Sequence, residues 1–429
     1  MDRYLRLLYL GDAGEQRDAR TEFDMAARHW RGVGCERDPT KARAILDRIH
    51  DKGKGISAFC YAYMHAHGVG VEANVEIAAE HFRKAREIYD RNAAAGMAVA
   101  NNNLGYMLAE GIGGERDQAR AARSFAEAAE RGLATAQYNL GLCYLNGWGV
   151  PQDDAKAFAL MRQAAESGDA AAAGALAMMI QEGRGSTRDP VQAVQWLHQA
   201  ADAGDVASWC QLGFAYAAGY GTVRDPPESR RWFELAAEAG DSYAQASLGL
   251  LLCTEGDEAE FERGWQMLRW AFEQDSSAAE TYIARIMLLG APHAPPEVAD
   301  GFEFARNAAL KGNPACMYLL GYCHEHGLGT APDREQAVAW YRRAFAADGE
   351  PHAAAYLGRM HARGEGVPKD PVEAFVLLSL AESSGLDWVP AEREAVGRAL
   401  DAKQRAMAER RLAETKSRLG APLALRMAS

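Results

Sequence analysis

Residues Ala136 to Asp169 read AQYNLGLCYLNGWGVPQDDAKAFALMRQAAESGD. In the first half, Ala136, Leu140 and Tyr144 fall four apart, the spacing by which a helix buries one face. Gly147-Trp148-Gly149 stops that helix, because glycine accepts the left-handed backbone that follows a helix C-terminus without steric strain. Asp153 then stands where a carboxylate caps the free N–H groups of a second helix. That helix carries Ala164-Ala165 and ends at Gly168. The stretch reads as two antiparallel helices joined by a glycine turn.

With Gly141 as a centre, the pattern returns at Leu104-Gly105, Leu176-Ala177, Leu212-Gly213, Leu248-Gly249, Leu320-Gly321 and Leu357-Gly358, with weaker copies centred on Ala26, Ala62 and Ala284. The ten centres are separated by 36, 43, 36, 36, 36, 36, 35, 37 and 37 residues. A self-similarity of this period is the signature of stacked repeats. A small residue recurs five places before the centre, as Ala100, Ala172, Ser208, Ala244 and Ala353, where it permits close helix approach. Four second helices open on Asp-Pro, at Asp38-Pro39, Asp189-Pro190, Asp225-Pro226 and Asp370-Pro371, with proline at the first turn, where its missing N–H is harmless. The expected fold is all-α, a solenoid of about ten helical hairpins over residues 1–385.

Beyond it, residues 386–429 turn polar and strongly helical, as a terminal cap and tail require. The step of 43 adds seven residues within AAEHFRKAREIYDRNAAAGMA, about two helical turns, so a helix lengthens without rotating its apolar stripe and that unit protrudes. The units around Gly249 and Ala284 lack the G-x-G turn. There Pro292, Pro295 and Pro296 point to an extended connection and to a bend or seam over residues 249–300.

These residues resemble the SEL-one-like repeat proteins, a branch of the tetratricopeptide-like helical solenoids, over about residues 17–417. The motif A-x-x-x-L-G-x-x-Y-x-x-G-x-G-V-x-x-D-x-x-x-A followed by A-A-E-x-G carries the resemblance. It implies a right-handed α/α superhelix and a role as an adaptor or regulatory binding protein. Some repeat proteins of this type serve as immunity proteins that neutralise a toxin, which is the alternative role. The disulfide-rich members, with paired cysteines in each repeat, are not matched, and their β-lactam chemistry is not carried over.

Composition narrows the partner. The 429 residues are 48% hydrophobic and 25% charged, ordinary for a packed protein, and the formal charge of −12 repels phosphate backbones and anionic lipid heads. The expected partner is a protein or peptide, with no nucleic acid and no membrane insertion. No stretch reaches the roughly 18 to 20 apolar residues that cross a bilayer, and the opening MDRYLRLLYLGDAG has too short an apolar run for a secretion signal. Seven cysteines without C-x-x-C spacing fit reduced thiols, and the expected location is the cytoplasm.

Two stretches suggest a metal: Tyr63 to Gly70, YMHAHGVG, and Tyr322 to Gly329, YCHEHGLG. In the repeat frame, however, His65 and His324 fall three places after the centre, as do His29 and His361, in the slot that Tyr144, Tyr216, Leu108, Ile180, Leu252 and Met287 fill elsewhere. Each pair is spaced i, i+2, about 200° apart on a helix, so it cannot chelate one ion. They are expected to be packing residues. No nucleophile and base converge in the pattern, no G-x-S-x-G or H-E-x-x-H occurs, and the G-x-G runs follow no strand. The expectation is a non-catalytic protein without metal, cofactor or small-molecule substrate, with a hydrolase as the third alternative behind the adaptor and immunity roles.

If the positions five before, one before and three after the centre are buried, the opposite face holds those two before, one after and five after. The candidate partner-binding residues there are Tyr63, Asn103, Tyr106, Asn139, Asn146, Gln211, Phe214, Tyr282, Arg285, Tyr322, His326, Tyr356, Arg359 and Arg363. Tyrosine and arginine dominate interface hot spots, and asparagine can bond an extended backbone. The basic residues of the last three units suggest an acidic partner segment at that end.

Overall fold

The computed structural model describes residues 25–26, 28–29, 38–50, 54–68, 71–381 and 386–419. Among these the chain is helical throughout, and the one β-bridge is isolated, between Ala291 and Ala294. The chain divides into two compact units, Met1–Asp241 and Ser242–Ser429.

In the first unit, residues 25–26 and 28–29 precede α1 (Pro39–His50). Five hairpins follow: α2 (Lys54–His67) with α3 (Val75–Ala94), α4 (Ala98–Glu110) with α5 (Gln118–Glu130), α6 (Ala134–Asn146) with α7 (Asp154–Glu166), α8 (Ala170–Glu182) with α9 (Pro190–Asp202), and α10 (Val206–Ala218) with α11 (Pro226–Glu238). The second unit holds four more: α12 (Ser242–Glu255) with α13 (Glu258–Glu273), α14 (Ser277–Leu289) with α15 (Val298–Leu310), α16 (Pro314–His326) with α17 (Arg334–Asp348), and α18 (Pro351–Arg363) with α19 (Pro371–Leu380). The polar C-terminal segment forms α20 (Val389–Ala399) and α21 (Ala402–Leu419), both packed on α19. Within each unit the hairpin helices pack chiefly on their chain neighbours, the arrangement of an α/α solenoid.

The insertion of seven residues lengthens one helix: α3 has 20 residues where α5, α7, α9 and α11 each have 13. Caps set the boundaries. Asp117, Asp153, Asp189 and Asp225 each accept a hydrogen bond from a backbone N–H three residues on, at the start of α5, α7, α9 and α11. Gly111, Gly147, Gly183 and Gly219 close the preceding first helices in the left-handed conformation.

Packing is tight at the repeat centre. A Cβ on Gly213 would stand 2.6 Å from the Phe233 ring, and one on Gly321 would stand 2.5 Å from the Tyr341 ring, so glycine there seats an aromatic ring of the paired helix. The small residues five places earlier, Ala100, Ala136, Ala172, Ser208, Ala244 and Ala353, are all buried.

The irregular hairpins use other joints. Between α12 and α13 the turn contracts to Gly256 and Asp257, and Asp257 forms a reciprocal capping box with Glu260. After α14, Pro292 does not extend the chain as expected. It sits within a tight turn, where Ala291 and Ala294 exchange both backbone hydrogen bonds, at 2.8 and 3.0 Å. Only Pro295 and Pro296 continue as irregular backbone into α15.

Candidate interaction surface

The site begins with what the frame consumes. The residue three places after the centre offers its carbonyl to the residue that caps the next helix. Asn74, Asp117, Asp153, Asp189, Asp225, Glu297, Asp333 and Asp370 donate their N–H to the carbonyls of His65, Leu108, Tyr144, Ile180, Tyr216, Met287, His324 and His361, at 2.7–3.2 Å. The position therefore serves through its backbone, and any large side chain suits it. His65 and His361 are buried, and the His324 ring packs edge-on to Phe302 at 5.8 Å. Burial holds the His324 and His361 imidazoles below their ordinary pKa, against the opposing pull of Asp333 and Glu373. Among the described residues no three His, Cys, Asp or Glu side chains gather as a metal site needs. Burial pushes the Cys143 and Cys323 thiols up to about 12, so they are unreactive.

The face opposite the buried stripe divides by position. At 100° per residue, the position one after the centre lies about 160° from the middle of the stripe, while two before lies only about 100° away, on the flank that meets the adjacent first helix. Asn103 and Asn139, two before, are accordingly buried at 1% and 3% exposure. Asn139 Nδ2 donates to Asn102 Oδ1 at 2.9 Å, and Asn102 Nδ2 to Asn103 Oδ1 at 3.3 Å, a side-chain ladder joining α4 to α6. Tyr63 and Tyr106 are buried as well, in one cluster with Cys60 and Tyr89. These four residues, expected on the partner face, instead hold neighbouring hairpins together.

The first unit's remaining candidates, Asn146, Gln211 and Phe214, are reachable, as are Leu142 and Met178 at the same repeat position as Phe214. Leu142, Asn146, Met178, Gln211 and Phe214 are half-buried along α6, α8 and α10. Gln211 Nε2 donates to Met178 Sδ at 3.3 Å, and Phe214 stands edge-on to Phe233 at 4.8 Å, so the ridge is braced from beneath. Glu110 and Glu182 close α4 and α8 at its edge, both exposed.

In the second unit Tyr282 is half-buried and Arg285 exposed on α14. Tyr322 and Tyr356, half-buried on α16 and α18, belong to an aromatic cluster that the sequence did not reveal. Their rings are 5.7 Å apart and nearly perpendicular, Tyr318 lies 5.6 Å from Tyr356, and Trp388, from the connection into α20, closes on Tyr356 at 5.6 Å. Tyr318 and Trp388 lie outside the three positions considered, and only the fold brings them in. His326 is exposed, its ring 4.2 Å from Tyr322.

Two of the three arginines there, Arg359 and Arg363, are paired within the chain. Arg359 Nη2 donates to Glu325 Oε1 at 2.6 Å, with side chains only 18% and 9% exposed, and its guanidinium lies 4.5 Å from the Tyr356 ring centre and 5.0 Å from that of Trp388. Tyr341 donates its hydroxyl to the other Glu325 oxygen at 2.8 Å. Arg363 bonds Glu392 of α20 at 3.1 Å. The positive charge that suggested an acidic partner segment is largely neutralised within the chain.

The Sel1 repeat family model matches residues 19–48, 56–87, 98–133, 134–169, 170–205, 210–241, 314–348 and 351–386, passing over the hairpins that lack G-x-G. Among solved structures the chain is similar to c5321, described as a protective antigen present in uropathogenic Escherichia coli strains displaying an SLR fold. Identity is 26% over 95% of this chain and 94% of that one, with a TM-score of 0.43. It is similar to a Sel1 repeat protein from Oxalobacter formigenes at 25% identity, covering 62% and 92% of the two chains, TM-score 0.41. Immunity protein Pa5087 from Pseudomonas aeruginosa follows at 18% identity, covering 62% and 83%, TM-score 0.31. Among curated proteins none matches the chain.

Proposed function

Because the chain belongs to the Sel1 repeat family, whose stacked hairpins are built to bind other proteins, we propose that it is a non-catalytic adaptor or regulator that captures an extended segment of a partner protein on its first helices. The observation that carries this reading is that each unit, taken by itself, has reachable large side chains on first helices that otherwise pack: Leu142, Met178 and Phe214 in the first unit, Tyr322 and Tyr356 in the second. Such rigid, half-buried apolar and aromatic groups are the anchors on which binding energy concentrates. Buried, free cysteines suit a reducing compartment, and we place the protein in the cytoplasm.

A photo-crosslinking residue at Phe214 or Tyr322 should trap a single partner in the native cell, while the same residue at Arg162 or Arg306, exposed on second helices, should not. Equal capture from all four positions, or none from the first two, overturns the reading. If the trapped partner is a toxin or effector enzyme whose activity falls on binding, the role is immunity rather than adaptor.

A further inference from the structure

The second unit holds one arrangement twice, the second time complete and the first time with its acid missing. On α18, Tyr356 stands two places before the repeat centre and Arg359 one after it; on α14, Tyr282 and Arg285 occupy the same two positions. Arg359 is fully engaged. Its guanidinium takes a carboxylate from the preceding first helix, Glu325 of α16, at 2.6 Å, and the Trp388 ring lies 5.0 Å from it. At the places that Glu325 and Trp388 hold in the frame, Arg285 has Cys253 of α12 and Pro314 of α16. Cys253 is a buried thiol directed at the carbonyl of Phe261, 3.7 Å away, and neither side chain supplies a carboxylate or an aromatic ring. Arg285 is accordingly exposed, and among the described residues it makes no ion pair, side-chain hydrogen bond or ring contact.

The carboxylates of the neighbouring first helices do not fill the gap. Glu280 accepts from Asn313 at 3.0 Å and pairs with Lys311 at 3.8 Å, Glu325 holds Arg359 and Tyr341, and Glu255, which closes α12, does not pair with Arg285. Leu250 on α12 and Tyr322 on α16 share the repeat position of Arg285, and Leu289, one helical turn along α14, is 48% exposed. Accepting the partner-capture reading above, we infer that this face takes a partner segment in which an aspartate or glutamate side chain, flanked by apolar residues, docks on Arg285. The partner's carboxylate takes the part that Glu325 plays for Arg359. The planar guanidinium meets it with two parallel N–H···O bonds, and the surrounding leucine and tyrosine side chains keep water from the pair. The formal charge of −12 opposes a run of acidic residues, so a single carboxylate among apolar side chains is the segment this face selects.

The probe is a labelled peptide with an amidated C-terminus, Ser-Gly-Leu-Gly-Asp-Gly-Leu-Gly-Ser, titrated into the full chain and followed by fluorescence anisotropy, with asparagine in place of the aspartate as its counterpart. Leucines two residues to either side keep all three side chains on one face of an extended chain. The aspartate peptide should bind about fivefold more tightly than the asparagine peptide, against the repulsion of the acidic chain as a whole. Arg285→Gln should bring that preference below about twofold with circular dichroism unchanged, whereas Arg269→Gln, which removes an exposed charge from the second helix α13, should preserve it. Loss of the preference in both variants would mean a response to charge at large and would overturn the inference, as would equal binding, or no measurable binding, of the two peptides to the unaltered chain. A partner trapped at Tyr322 together with equal binding of the two peptides would leave the capture reading intact and sink only this one. The aspartate preference with nothing trapped at Tyr322 would do the reverse.

Discussion

At the residue scale, the two glycines of each G-x-G turn do different work. Gly147 closes α6 with φ of +69°, which the sequence already implied. Gly149 also has positive φ, +71°, but a Cβ there would lie 2.1 Å from the carbonyl oxygen of Gln118, in the preceding hairpin. Gly113, Gly185 and Gly221 meet backbone in the same way, at 2.4, 2.3 and 2.1 Å. By contrast Gly168, with φ of +88°, has nothing within 4 Å. Gly168→Ala should therefore lower stability by about 1–2 kcal/mol, the strain of a left-handed alanine, and Gly149→Ala by clearly more, since backbone must also shift; urea unfolding of both variants measures the difference. Arg359 and Arg363 separate in a similar way. Arg359→Glu would set a second carboxylate beside the largely buried Glu325 and should destabilise by about 3–5 kcal/mol. Arg363→Glu touches a half-exposed pair, 51% exposed at the arginine, and should stay within about 1 kcal/mol. Similar melting curves for the two would contradict the ion-pair assignment.

At the scale of elements, the joint between first and second helix explains why histidine recurs without being a ligand. The carbonyl of His324 receives the N–H of Asp333 at 2.7 Å and that of His361 the N–H of Asp370 at 3.0 Å, while both rings are shielded. Their folded-state pKa values lie below the ordinary 6.5 because burial disfavours the imidazolium. The unfolded chain then binds more protons than the folded chain just below that value. Stability is thus full above about pH 6.5 and falls as pH drops from there through the folded pKa values. The double variant His324→Tyr, His361→Tyr, which installs the residue of Tyr144 and Tyr216, should flatten stability between pH 6.5 and 5; an unchanged slope would refute this origin. A second element-level substitution appears where G-x-G is missing: the His293 ring nitrogen Nε2 meets the carbonyl of Gly256 at 3.1 Å, so a turn side chain contacts the preceding hairpin as the second glycine does elsewhere.

At the scale of the whole molecule, contacts run between neighbouring helices, and the chain divides between Asp241 and Ser242. Fragments 1–241 and 242–429 should each stay helical and melt cooperatively on their own, as nearest-neighbour stability in a repeat array predicts; loss of helicity in either, followed by circular dichroism, would show that it depends on the other. The helices, their caps and the buried stripe were legible in the sequence, because each rests on short-range chemistry: a period near 36, a glycine after each first helix and an aspartate before most second ones, with Asn74 and Glu297 as the exceptions. The same periodicity placed His65 and His324 in the frame. It could not say which side of a first helix its neighbour covers. That depends on how hairpins stack, and stacking buried Asn103, Asn139, Tyr63 and Tyr106 while leaving Leu142, Met178 and Phe214 within reach. Nor could spacing show that Arg359 is held by Glu325 and Trp388, residues 34 positions before and 29 after it, since opposite charges and rings far apart in the chain meet only once the helices between them have packed.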